Sequence, residues 1–207
     1  EVNKVCEDRV KVSNVVYMGM GEPLDNYDEV MRSLRILNHH AGKNLGARHL
    51  TISTCGIPDK ILDFADESLQ VHLAISLHCA NEDERAVIMP TAKRYSLKEI
   101  FEAIRGYQAK TRRRVMFEYC MIKGVNDSDE DARQVVRLLK GLNANVNLIE
   151  YNPHPGCDFK PSSRERIAAF FDILMQNGVE TTARFKRGQK IKAACGQLGA
   201  TWDECKK

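Results

Sequence analysis

The stretch "HLTISTCG", residues 49–56, sets the reading of the chain. Around the β-branched pair Thr51-Ile52, residues 49–53 read as a strand, and Cys55-Gly56 stops it abruptly in a loop. The same arrangement recurs on both sides. Residues 15–18 ("VVYM") end at glycines, 72–77 ("HLAISL") stop at His78, and 115–122 ("VMFEYCMI") end at Lys123-Gly124. Residues 146–149 ("VNLI") run into Asn152-Pro153, and 180–185 ("ETTARF") lead into a basic segment.

Helices separate these strands. Ser96-x-x-Glu99 and Ser162-x-x-Glu165 both fit a capping box. Leu97, Ile100, Phe101 and Ile104 follow at helical spacing, as do Ile167, Phe170, Phe171 and Leu174. Ser128 heads a third helix with Ala132, Val135, Val136 and Leu139 on one face. Asp25 or Asn26 caps a fourth that contains Val30, Leu34 and Leu37. Strand, loop and helix alternating at roughly 30-residue intervals is the pattern of βαβ crossovers. The fold class expected is α/β, a parallel barrel or part of one, in which the loops after the strands carry function. Those loops are "GMGEP", "STCG", "SLH", "YNP" and the segment running from "KRG" to "AACG". No internal repeat or linker divides residues 1–207, which read as one domain ending in a tail over 186–207.

Composition is that of a soluble globular protein: 43% hydrophobic and 29% charged, with a net charge of +3. No apolar run is long enough to span a membrane, and the polar opening Glu1-Val2-Asn3-Lys4 is not a secretory leader. The seven cysteines, at 6, 55, 79, 120, 157, 195 and 205, show no metal-ligand spacing. They are expected to be reduced, and the protein cytoplasmic.

Each candidate segment has two readings. Gly19-Met20-Gly21-Glu22-Pro23 lets backbone approach a ligand closely, with a carboxylate suited to an ammonium group, or it is a tight turn. Asn152-Pro153 aims an amide at a ligand or makes a turn. His78 binds a ligand or is a hydrogen-bonded structural histidine. Cys55, Cys79 and Cys120 read as small core residues. Cys195 stands apart, flanked by small residues and close to Lys190 and Lys192, which favour thiolate; a structural cysteine is the alternative. Arg184, Lys186, Arg187, Lys190 and Lys192 around that thiol suit a phosphate backbone. Lys110, Arg112, Arg113 and Arg114 read as a solvated face.

Taken in order, "GMGEPLDN", "GARHLTISTCGIP", "AISLHCANEDER" with "IMP", "EYCMIKGVND", "LIEYNPHPG" and "IKAACGQL" resemble the RlmN/Cfr family, from about Val15 to Leu198. These are radical S-adenosylmethionine (SAM) enzymes that methylate an adenine of large-subunit ribosomal RNA. The resemblance implies a partial (β/α) barrel of the radical SAM type lacking its N-terminal strand. It implies that Gly21 and Glu22 bind the amino group of SAM, and that Ser53, Ser76, Leu77, His78 and Asn152 make its other contacts. Cys195 matches the cysteine that is methylated by one SAM. A second SAM, cleaved by an electron from a 4Fe-4S cluster, yields the radical that takes a hydrogen from the S-methyl group. The carbon radical adds to adenine, joining RNA to protein, and a second cysteine releases the product by forming a disulfide. Carbon 2 of an adenine in 23S ribosomal RNA is the target expected, with transfer RNA a second substrate in some members. An electron donor such as flavodoxin or ferredoxin is implied. Alternatives are carbon 8 methylation, as in the antibiotic-resistance branch, and a non-catalytic RNA- or SAM-binding remnant. A phosphate-binding barrel is what remains without the resemblance. The family's C-x-x-x-C-x-x-C cluster motif does not occur in the chain, so no metal ligand is assigned. The chain is expected to be the C-terminal portion of a longer protein, inactive by itself.

Overall fold

The computed structural model describes residues 12–19, 21–154 and 157–184. Six parallel strands form one open sheet in sequential order: β1 (Val15–Tyr17), β2 (Leu50–Thr54), β3 (His72–Ser76), β4 (Val115–Met121), β5 (Ala144–Glu150) and β6 (Glu180–Arg184). All six sequence-expected strands are present, with ends displaced by one or two residues; Phe185 lies outside the described residues. Six α-helices lie between the strands: α1 (Tyr27–Asn38), α2 (Pro58–Ala65), α3 (Glu82–Ile88), α4 (Leu97–Thr111), α5 (Asp129–Leu139) and α6 (Arg164–Gln176). Consecutive strands are neighbours and parallel, so right-handed crossovers put the connecting helices on one face. The sheet is not closed. The architecture is α/β, a partial parallel barrel.

Alternation along the strands sorts the two faces. Leu50 and Ile52, Leu73 and Ile75, Val115, Phe117 and Tyr119, and Val146 and Leu148 are buried on the helix side. Each such side chain contributes about 1.5–3 kcal/mol by leaving water. Phe101 stacks on Phe117 at 5.5 Å between ring centroids, and Tyr119 meets Phe170 at 5.0 Å. The other face carries Ser53, Ser76, Glu118, Asn147 and Thr182. Register lines four of these up across the sheet, Ser76 beside Glu118, Glu118 beside Asn147, and Asn147 beside Thr182.

Local signals held at α4 and α5. Ser96 with Glu99, and Ser128 with Asp131, form reciprocal capping boxes. Two expectations change. Ser163, not Ser162, caps α6, its side chain accepting from the Arg166 N–H; the Ser162 hydroxyl is buried and donates to Asp127 Oδ2 at 2.7 Å. Asn26 sits at the start of α1 but its side chain makes no capping bond; a 3-10 turn over Pro23–Asn26, capped by Glu22, leads into the helix instead. Helices α2 and α3 were not legible as helices. Among the described residues no helix is long and apolar enough to cross a membrane.

Candidate functional site

The segments singled out by sequence lie at the C-terminal ends of β1, β2, β3 and β5, along one edge of the sheet. After β1 the chain turns through Gly21, whose φ of 94° is open to glycine but strained for other residues. A Cβ there would meet nothing, so backbone conformation alone calls for glycine. Glu22 follows. Its Oε1 accepts from the Leu24 N–H at 2.9 Å and its Oε2 from the Cys55 N–H at 2.7 Å. The carboxylate is thus fixed between the loops after β1 and β2, and each oxygen keeps a lone pair for a ligand ammonium.

Ser53 is buried on β2, and its hydroxyl donates to Glu118 Oε2 at 2.9 Å while lying 3.4 Å from the Ser76 hydroxyl. Glu118 is 3% exposed. Burial pushes its carboxyl above the usual range, opposed by the Ser53 hydrogen bond and by Arg184. Sequence reasoning passed over this residue. Its signal was a lone carboxylate in an apolar strand, in step with Met116 and Cys120. Asn147, beside it, was also missed: Oδ1 accepts from Thr182, while Nδ2 is buried with no hydrogen-bond partner.

The Ser76-Leu77-His78 segment is anchored through its backbone. The N–H groups of Leu77 and His78 both donate to the Glu118 carbonyl, at 3.0 and 3.1 Å. The Leu77 side chain is 0% exposed and belongs to the core, and its carbonyl accepts from Arg85 Nε and the Cys79 N–H. Leu77 therefore contributes position, not a side chain. His78 has φ 58° and accepts at Nδ1 from the Cys120 N–H at 3.2 Å. Burial, with Arg85 nearby, pulls its pKa down from 6.5 to about 4, so the ring is neutral near pH 7. Asn126, 0% exposed and unanticipated, ties this segment to β4: Nδ2 donates to the carbonyls of His78 and Cys120, and Oδ1 accepts from the Ile122 N–H.

Asn152 lies just past β5, and among the described residues its Nδ2 is buried without a hydrogen-bond partner. Cys79 is buried as its sequence context suggests, Cys55 and Cys120 are only partly so, and neither Cys55 nor Cys79 is poised as a thiolate. Burial, and then a neighbouring glutamate in each case, pushes both thiols up to about 12. Cys195 and the basic residues 186–192 lie outside the described residues. In the second basic run, Lys110 pairs with Asp66, Arg113 donates to the Leu69 carbonyl and Arg114 pairs with Glu180, which agrees with a structural surface. Among the described residues no group of three or more His, Cys, Asp or Glu is placed to hold a metal ion.

The arrangement offers a carboxylate for an ammonium group, hydroxyls, a neutral imidazole and an unsatisfied amide donor along one edge. The family model of the radical SAM superfamily matches residues 1–136. Proteins named "Probable dual-specificity RNA methyltransferase RlmN" from Clostridium perfringens and Thermotoga neapolitana are 48% identical over 196 residues and 51% identical over 192 residues. These alignments cover 95% and 93% of this chain, and the chain spans 56% of the length of each relative. The crystal structure of a radical SAM methyltransferase from Sphaerobacter thermophilus superposes with a TM-score of 0.90 at 47% identity, covering 94% of this chain and 57% of that one. The superfamily implies SAM and a 4Fe-4S cluster as cofactors. On the family match and the near end-to-end identity, the chain belongs to the radical SAM superfamily and is similar along nearly its whole length to RlmN-type RNA methyltransferases.

Proposed function

We propose that this chain is the SAM-binding part of a cytoplasmic RNA methyltransferase that methylates carbon 2 of an adenine in 23S ribosomal RNA and an adenine of transfer RNA. The observation that carries this is the identity of about half, almost end to end, with relatives whose printed name is dual-specificity RNA methyltransferase. Among the described residues no group is placed to hold the cluster. They do fit SAM. Glu22 receives the ammonium of its methionine part, already oriented by two backbone N–H groups. The Asn152 amide, orphaned and buried, donates to an acceptor of the ligand. Ser53, Ser76 and neutral His78 complete a polar, uncharged flank, and Leu77 sets the backbone between them. When bound, SAM supplies the methyl group and, with the cluster reduced by a flavodoxin- or ferredoxin-like donor, the radical.

Cys195 is the proposed methyl carrier. Carbon 2 of adenine is an electrophilic amidine carbon and does not attack SAM, whereas a thiolate does. The five basic residues Arg184, Lys186, Arg187, Lys190 and Lys192 suit the phosphates of the RNA.

The protein containing this chain, with its cluster reconstituted anaerobically, should be given SAM, reductant and either 23S or transfer RNA. The modified nucleosides are then identified by mass spectrometry. The expected product is 2-methyladenosine from both RNAs, lost in Cys195→Ala while SAM binding persists. A product of 8-methyladenosine would move the target to carbon 8. An enzyme that cleaves SAM and leaves both RNAs unmethylated would overturn the proposal.

A further inference from the structure

Arg85 is a cation in an apolar place. It is 1% exposed, on the inward face of α3, and among the described residues it forms no ion pair. Its partners are three carbonyl oxygens. Nε donates to Leu77 at 3.0 Å, and Nη2 donates to Ser76 at 3.0 Å and to Cys55 at 2.6 Å. An apolar side chain of similar volume would avoid the cost of desolvating a guanidinium but would leave the Cys55, Ser76 and Leu77 carbonyls without this donor. What the guanidinium does, and a methionine would not, is hold carbonyls from two loops in one planar fork.

Those carbonyls belong to the candidate site. The Cys55 backbone is gripped on both sides of its Cα, its N–H by Glu22 Oε2 at 2.7 Å and its carbonyl by Arg85. A continuous path thus runs from Glu22 through the Cys55 backbone and Arg85 to Ser76 and Leu77, joining the loops after β1, β2 and β3. Gly56, the next residue, has φ 101°, and a Cβ there would come within 2.9 Å of the Ile100 side chain, so this turn calls for glycine.

We propose that Arg85 is a positioning residue for the cofactor site: through the Cys55 backbone it latches the three strand-end loops into one unit, so that Glu22, Ser76 and His78 face the ligand together. This rests on the SAM-binding reading above. The test uses the full protein carrying Arg85→Lys, which keeps the charge but not the fork. SAM affinity is measured by calorimetry beside the wild type and beside Phe170→Leu, a core variant in α6 away from the latch. Arg85→Lys is expected to weaken SAM binding by about 10- to 100-fold through misplacement, while Phe170→Leu, at a comparable loss of Tm, leaves it unchanged. A folded Arg85→Lys protein that binds SAM within about twofold of wild type would overturn the proposal. Hydrogen exchange on the wild type gives a second reading that needs no variant. The amides of Cys55, Gly56, Leu77, His78 and Cys79 should open with one shared free energy, and separate openings of the two loops would refute the latch. A wild-type protein that binds no SAM would sink the functional reading and leave this exchange result to decide the latch alone.

Discussion

His78 should make the fold acid-sensitive in a specific window. Its Nδ1 is an acceptor for the Cys120 N–H, so a proton cannot be added there without losing that bond. Burial and Arg85 lower the folded-state pKa to about 4, against 6.5 for the ordinary residue. Between those values the unfolded chain holds a proton that the folded chain refuses, so stability rises with pH across the window. The contribution is fully present above about pH 6.5 and is lost as pH falls through about 4. At about 1.4 kcal/mol per pH unit, the gap amounts to at most about 3 kcal/mol, and partial exposure of the ring brings the expectation down to about 1–3 kcal/mol. The perturbation is His78→Asn. Asparagine tolerates the φ of 58°, and its Oδ1 can replace Nδ1 as acceptor, but it does not titrate in this range. Urea unfolding of both proteins at about pH 7 and about pH 4.5 gives two differences in stability. The wild type should lose about 1–3 kcal/mol more than the variant on acidification. Losses equal within about 0.5 kcal/mol would refute the reasoning, because other titrating groups are common to both proteins.

Glu118→Gln tests a shift of the opposite sign. The folded state holds the Glu118 proton more tightly than the unfolded chain, so wild-type stability falls relative to the variant as pH rises above 4.5; paired urea midpoints at about pH 5 and about pH 8 measure it, and a constant difference would count against a raised carboxyl. Asn126→Ala strands the His78 and Cys120 carbonyls and the Ile122 N–H, and is expected to cost about 3–5 kcal/mol in urea unfolding; a loss below about 1 kcal/mol would mean that water replaces the amide. Asn152→Ala removes an unpartnered donor, so Tm should hold or rise slightly while SAM affinity measured by calorimetry drops by about tenfold. Unchanged affinity would remove Asn152 from the site.

The strand ends were legible because strands stop at glycine, proline and polar residues that sequence displays, while the assignment of residues there to SAM came from the family resemblance. Gly21, Glu22, Ser53, Ser76, His78 and Asn152 all fall at such ends. What was not legible was who grips them. In "NEDERAVI" nothing distinguishes Arg85 from its exposed charged neighbours, since its burial follows from three carbonyls brought by β2 and β3. Helix α3 was overlooked for the same reason, its one buried side chain being charged. Ser162 and Ser163 both satisfy a helix-start pattern locally; the tie is broken by Asp127, 35 residues away, which draws Ser162 inward.

The strand set, the α/β class and the edge of the sheet on which chemistry-bearing residues fall can all be read from local pattern. Hydrophobic alternation and turn residues act over a few neighbours, and a parallel sheet follows from the spacing of its crossovers. The electrostatics of that edge come from packing: a neutral His78, a Glu118 carboxyl raised by burial, Cys55 and Cys79 thiols pushed up, and a guanidinium bound by carbonyls. Each depends on desolvation and on partners set by strand register, as Ser53 meets Glu118 across 65 residues of chain. Burial and register are properties of the packed sheet, and no local pattern of residues carries them.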